Sequence, residues 1–182
     1  MDRVDVDAIL YAVHPNLVEG RRGGARGATL QCAVMSDQPP LLFDVARYRV
    51  IFGDCDPMRI MYHANYLRLF EIGRAELFRR LGHPFPTYVA QGLYLAVLEA
   101  TCRYKRPARY DDEVIIRAGF ASVGHARLTI AYEALALSRD LLASGHTQHG
   151  VLDDSGRPRR LPPEFRAAAL GAMRASDGDV ER

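Results

Sequence analysis

Asp54, Asp56 and His63 fall close together in the run Phe52-Gly53-Asp54-Cys55-Asp56-Pro57-Met58-Arg59-Ile60-Met61-Tyr62-His63-Ala64-Asn65-Tyr66. A carboxylate can take a proton from water, or attack an electrophilic carbon itself. The backbone N–H groups at a helix start lack intrahelical partners and sit at the positive end of the helix dipole, so they can polarise a carbonyl. An acid aimed at a helix start therefore holds both halves of an attack on a carbonyl compound. The structural alternative for Asp56 is an Asp-Pro turn, in which the side chain caps its own loop.

Two elements must hold this loop, because loops do chemistry when rigid segments position them. Tyr48 to Phe52 is β-branched and aromatic, which predicts a strand. The segment Tyr62 to Leu81 predicts a helix, with Tyr62, Tyr66, Leu69, Phe70, Gly73, Leu77 and Leu81 on one face and Glu76 with Arg80 as an i,i+4 pair. Gly82 and Pro84 stop it.

The order of elements sets the fold class. The first strand is predicted from about Phe43 to Phe52, followed by the long helix and a helical turn over Tyr88 to Gln91. Leu93 to Arg106 forms a second strand that begins apolar on both sides, as a central strand covered on both faces would, and Pro107 ends it. Further strands are expected at Val114–Val123, Arg127–Leu137 and Leu141–Leu152, then a short helix from Pro162-Pro163 to about Met173. A strand, a long helix and four strands joined by short turns make an α+β fold with the helix on one face of the sheet. The domain is placed at residues 43–154. Residues 1–42 read as a flexible N-terminal extension containing Glu19-Gly20-Arg21-Arg22-Gly23-Gly24, and residues 155–182 as a short helix and polar tail.

The loop Phe52-Gly53-Asp54-Cys55-Asp56-Pro57, with Tyr62-His63-Ala64-Asn65-Tyr66 and the helix that follows, resembles the hotdog-fold thioesterases of the 4-hydroxybenzoyl-CoA thioesterase and YbgC-like group. The resemblance spans roughly Asp44 to Asp153. It implies a curved antiparallel five-stranded sheet wrapped around one long helix, a homodimer or homotetramer with sites at the subunit boundary, and hydrolysis of an acyl-CoA thioester. It places the catalytic acid at Asp56 and a catalytic His at His63, whose backbone N–H faces the thioester carbonyl. Asp54 then reads as structural. Tyr62 and Asn65 match positions near the substrate, although Asn65 and Tyr66 also read as packing and loop anchors. The sequence departs from the family in having Phe52 where YbgC-like members often carry Tyr, and Met58-Arg59 where the family usually has Gly.

The carrier is the next question. Arg103, Lys105 and Arg106, with Arg109 beside them, form a basic cluster suited to coenzyme A phosphates, or to protecting a strand edge. An acyl carrier protein as the acyl donor, a non-catalytic acyl-CoA-binding hotdog protein, and hydratase chemistry on the same fold are the competing readings. A hotdog sensor joined to DNA-binding helices fits poorly, since residues 1–42 are too broken by Gly and Pro for a helix-turn-helix.

Composition narrows the partners. A net charge of +2 without a basic block gives no nucleic-acid footprint. No apolar run reaches membrane-spanning length, so no membrane partner is expected. Cys32, Cys55 and Cys102 lack CxxC spacing and read as free thiols of a cytoplasmic protein. His146 and His149 have no acid or Cys at ligand spacing, so neither a metal nor another cofactor is expected.

Overall fold

The computed structural model describes residues 39–174. Five strands, β1 (Phe43–Arg49), β2 (Leu93–Tyr104), β3 (Glu113–Val123), β4 (Arg127–Ala136) and β5 (Leu141–Asp153), form one antiparallel sheet in the order β1-β3-β4-β5-β2. Three helices accompany it: α1 (Asn65–Arg80), α2 (Pro86–Val89) and α3 (Pro163–Arg174). The residues 1–38 and 175–182, which hold most of the predicted extension and the polar tail, lie outside the described residues.

Helix α1 lies on the sheet against β1, β3 and β4. It buries Tyr66, Leu69, Phe70, Gly73, Leu77 and Phe78, the face expected from its spacing with Phe78 added and Tyr62 and Leu81 removed. Phe70 stacks on Tyr132 at 4.7 Å, and Phe78 stacks on Phe120 while meeting Phe165 edge-on. Burial of each such side chain is worth about 1.5–3 kcal/mol. Gly73 lets the helix sit this close: a Cβ there would stand 2.8 Å from Cγ2 of Ile116. At the far end, Phe165 and Ala169 of α3 are buried in the same core.

Four expectations change. The long helix begins at Asn65 rather than Tyr62, because the Tyr62 N–H is taken by the Asp54 carbonyl at 2.8 Å and the next residues form a turn. The first strand ends at Arg49, since Phe52–Asp54 winds into a 3-10 turn closed by Asp54 N–H to Ile51 O. Glu76 pairs with Arg79 rather than Arg80, whose guanidinium instead reaches the Asp44 carbonyl and lies over the Phe43 ring. The second strand is an edge, not a centre: among the described residues β2 pairs only with β5, and Val97 is 52% exposed.

Candidate active site

The loop between β1 and α1 is organised by Asp54, which is buried. One of its carboxylate oxygens accepts Tyr48 Oη at 2.6 Å and the Ile51 N–H at 3.1 Å, and the other accepts Arg68 of α1. Its carbonyl accepts both the Tyr62 N–H and Asn65 Nδ2 at 2.9 Å. Asp54 thereby ties β1, the loop and the helix start into one unit, and its carboxylate has no face left for substrate. Asn65, a candidate substrate contact, is spent on the same knot.

Asp56 sits one turn further on, half-buried, in a tight loop closed by the bridge between Cys55 and Met61. Its N–H donates to Ile60 O at 3.0 Å and its carbonyl accepts the Arg59 N–H at 2.8 Å. Oδ1 accepts the Met58 N–H at 2.8 Å, which is the turn-capping use of an Asp before Pro. Oδ2 has no hydrogen-bond partner among the described residues. One oxygen thus holds the loop while the other is left for chemistry. The loop closes only because Arg59 adopts a left-handed conformation, φ 61°.

A cavity of about 350 Å³ opens beside Asp56. Asp56, His63, Tyr104, Lys105 and Arg106 supply its polar groups, and Met58, Ile60, Met61, Tyr66 and Pro107 its apolar wall. His63 lies in the turn before α1 with its ring exposed, 4.4 Å from the Tyr62 ring. The N–H groups of His63 and Ala64 have no acceptor among the described residues. Arg106 also pairs with Asp140 at 2.8 Å, whereas Lys105 has no ion-pair partner among the described residues.

The structure therefore brings together four of the candidate residues, Asp56, His63, Lys105 and Arg106. Tyr62, Asn65 and Arg103 do not line the cavity. Arg103 is exposed on β2 and Arg109 on the loop after it. Sequence reasoning missed Tyr104 at the cavity and the pair Tyr48 and Arg68 that holds Asp54. Their sequence signals are faint: an aromatic next to a basic cluster, and an Arg one turn into a helix.

The tyrosines around the site are held neutral. Burial raises Tyr66 above the usual phenol range, with the Ala108 N–H on its hydroxyl acting the other way. Burial, then the neighbouring Cys102 and Tyr66, pushes Tyr104 up to about 12. Burial and the adjoining Asp54 carboxylate raise Tyr48.

A five-stranded antiparallel sheet closed over one long helix is the hotdog fold, which this chain shares with thioester hydrolases. The chain belongs to the Thioesterase-like superfamily, whose family model matches residues 50–169. The acyl-CoA thioesterase YbgC of Haemophilus influenzae is 31% identical over 66% of this chain and 89% of its own length. The acyl-CoA thioester hydrolase YbgC of Escherichia coli O6:H1 is 27% identical over 63% of this chain and 86% of its own. A DHNA-CoA thioesterase from Staphylococcus aureus superposes with a TM-score of 0.67 at 23% identity, covering 69% of this chain and 87% of that one, and shares the fold. Among the described residues no helix is long and apolar enough to cross a membrane.

Proposed function

We propose that this protein hydrolyses an acyl-CoA thioester to the free acid and coenzyme A, with Asp56 as the acting carboxylate. The observation that carries this reading is the shared cavity of Asp56 and His63, in which the unpartnered Oδ2 stands beside a helix start with unused N–H donors. A thioester carbonyl placed there meets the carboxylate and the donors together. As base, Asp56 takes a proton from water, the hydroxide adds to the acyl carbon, the C–S bond breaks, and the departing thiolate takes up that proton. As nucleophile, Asp56 bonds to the acyl carbon, expels the thiolate, and water then splits the mixed anhydride. The N–H groups at the helix start oppose the negative charge that develops on the carbonyl oxygen in either route.

Lys105 and Arg106 on the cavity wall are the groups for coenzyme A phosphates. The names of the YbgC relatives favour coenzyme A as the carrier. A second copy of the chain, joined along the open edge of β2, is the expected partner.

Asp56→Asn tests the reading. It is expected to keep the fold and melting temperature and to lower kcat by about 10²–10⁴-fold on a panel of aryl-, short- and long-chain acyl-CoAs followed by thiol release. Near wild-type turnover by the folded variant would remove Asp56 from the reaction. Label in Asp56 after a single turnover in heavy-oxygen water would establish the nucleophilic route with water attacking the aspartyl carbon; label confined to the product acid fits the base route or attack at the acyl carbon.

A further inference from the structure

We propose that Tyr104 is a positioning residue for the carbonyl-polarising donors ahead of α1, an assignment that rests on the thioesterase reading of the same cavity. Tyr104 is the last residue of β2, and its hydroxyl donates to the His63 carbonyl at 3.1 Å. Its ring meets His63 edge-on at 6.2 Å and Tyr66 at 5.5 Å, so it is wedged between the turn and the first turn of the helix. The same side chain lines the cavity with Asp56.

The His63 carbonyl is one end of a peptide unit whose other end is the Ala64 N–H. In a trans peptide these two bonds point in opposite directions within one plane, so the bond to the carbonyl fixes the Ala64 N–H, while the His63 N–H belongs to the preceding unit and is steadied through the residue 63 backbone between them. The other hydrogen bond to this carbonyl comes from the Tyr66 N–H and is longer, 3.3 Å. Tyr104 thus supplies the tighter restraint on a turn that precedes the first helical residue and has no side-chain cap of its own. Accepting a hydrogen bond at the carbonyl also polarises the unit and strengthens the N–H at its far end as a donor. A phenol is protonated at neutral pH, and partial burial with the Cys102 thiol pushes Tyr104 further up, so the donor persists through the neutral range.

The role predicts a specific kinetic pattern. A donor to the developing oxyanion acts in the transition state, so disordering it lowers kcat more than it raises KM. Losing one such donor outright costs about 10²–10³-fold, and loosening its support should cost about tenfold.

The test compares wild type, Tyr104→Phe and Asp56→Asn on one acyl-CoA. It adds a protein carrying 3,5-difluorotyrosine at position 104, which keeps the shape of the side chain and ionises at lower pH. Tyr104→Phe is expected to lose about tenfold in kcat, with KM changed less than about twofold. The fluorinated protein should match wild type near neutrality. Its kcat should then fall toward that of Tyr104→Phe as pH rises, with the alkaline limb displaced to lower pH, because a phenolate cannot donate. Unchanged kcat in Tyr104→Phe, a change in KM alone, or an unmoved alkaline limb would overturn the assignment. If Tyr104→Phe fails to fold, the alkaline limb of the fluorinated protein decides. Full activity in Asp56→Asn would instead overturn the thioesterase reading of the cavity, whichever way Tyr104 behaves.

Discussion

Asp54 and Asp56 are separated by one residue and differ in what each carboxylate has left over. Asp54 spends both oxygens on Tyr48, Ile51 and Arg68, whereas Asp56 spends only one, on Met58. A difference between the two acids was legible in the motif, where the resemblance makes the second the expected acting one. The partners that enforce it were not, because Arg68 reaches Asp54 across fourteen positions of chain and no local period connects them. Arg59 is a different case. The sequence showed a bulky cation where the family usually has Gly, and the structure gives that departure a backbone meaning: φ is 61°, in the left-handed region. That conformation costs an ordinary L residue about 1–2 kcal/mol, offset in part by the greater chain entropy that Gly loses on folding. Arg59→Gly is therefore expected to stabilise the protein by about 0.5–1 kcal/mol in urea unfolding, with kcat retained. A destabilised Arg59→Gly would mean that the guanidinium makes up the strain through contacts of its own.

At the scale of elements, hydrophobic period recovered the helix face and the five strands, and missed what lies between them. Helix α1 was placed three residues early because Tyr62 and Tyr66 have helical spacing, while the Asp54 carbonyl diverts the chain at Tyr62. Alternation along β5 singled out His146 and His149 without showing how differently they are housed. His146 is partly exposed and bonds Thr101 at 2.9 Å. His149 is fully buried, with Nε2 on Thr147 at 2.7 Å and Nδ1 without a hydrogen bond, and Thr147 in turn meets Tyr132 at 2.8 Å. Burial pushes His149 down to about 3, and Arg74 of α1 pushes the same way. In the unfolded chain this imidazole takes up a proton near its ordinary value of 6.5, and in the folded protein it does so only near 3. The unfolded state therefore binds more protons in that window, so this group lowers stability as pH falls through it. Between about pH 6 and 4, unfolding free energy should fall by up to ~1.4 kcal/mol per pH unit more in wild type than in His149→Leu. Parallel stability curves for the two proteins would show that His149 does not titrate with unfolding.

For the whole molecule the informative error is the second strand. Its first half reads as a strand covered on both faces, and the reading failed because nothing among the described residues covers it. β2 is the outer strand of the sheet, twelve residues long, with Tyr94 and Val97 exposed and one row of backbone donors and acceptors unpaired among the described residues. A long apolar edge of this kind is a template for another strand, and proteins that stay single blunt such edges with charge, proline or bulges. Here β2 has a register irregularity between Val97 and Glu99, and its charges are Glu99 and Arg103, so the first half carries none. A second copy pairing edge to edge through a two-fold axis would satisfy both backbones with one surface, the usual economy of symmetric dimers. It would also bring a subunit boundary to the strand that ends at Tyr104 on the cavity wall, so assembly and activity should rise and fall together. The wild-type protein is expected to be a dimer, or a tetramer built from that dimer, by light scattering at micromolar concentration. Val97→Lys places a charge on the edge, and the two-fold axis doubles it, so the dissociation constant should rise by at least about tenfold, or ~1.4 kcal/mol. Turnover per chain should drop on dilution through that constant. A wild-type monomer with full turnover, or a Val97→Lys protein that stays assembled with unchanged affinity, would show that the apolar edge serves some other contact.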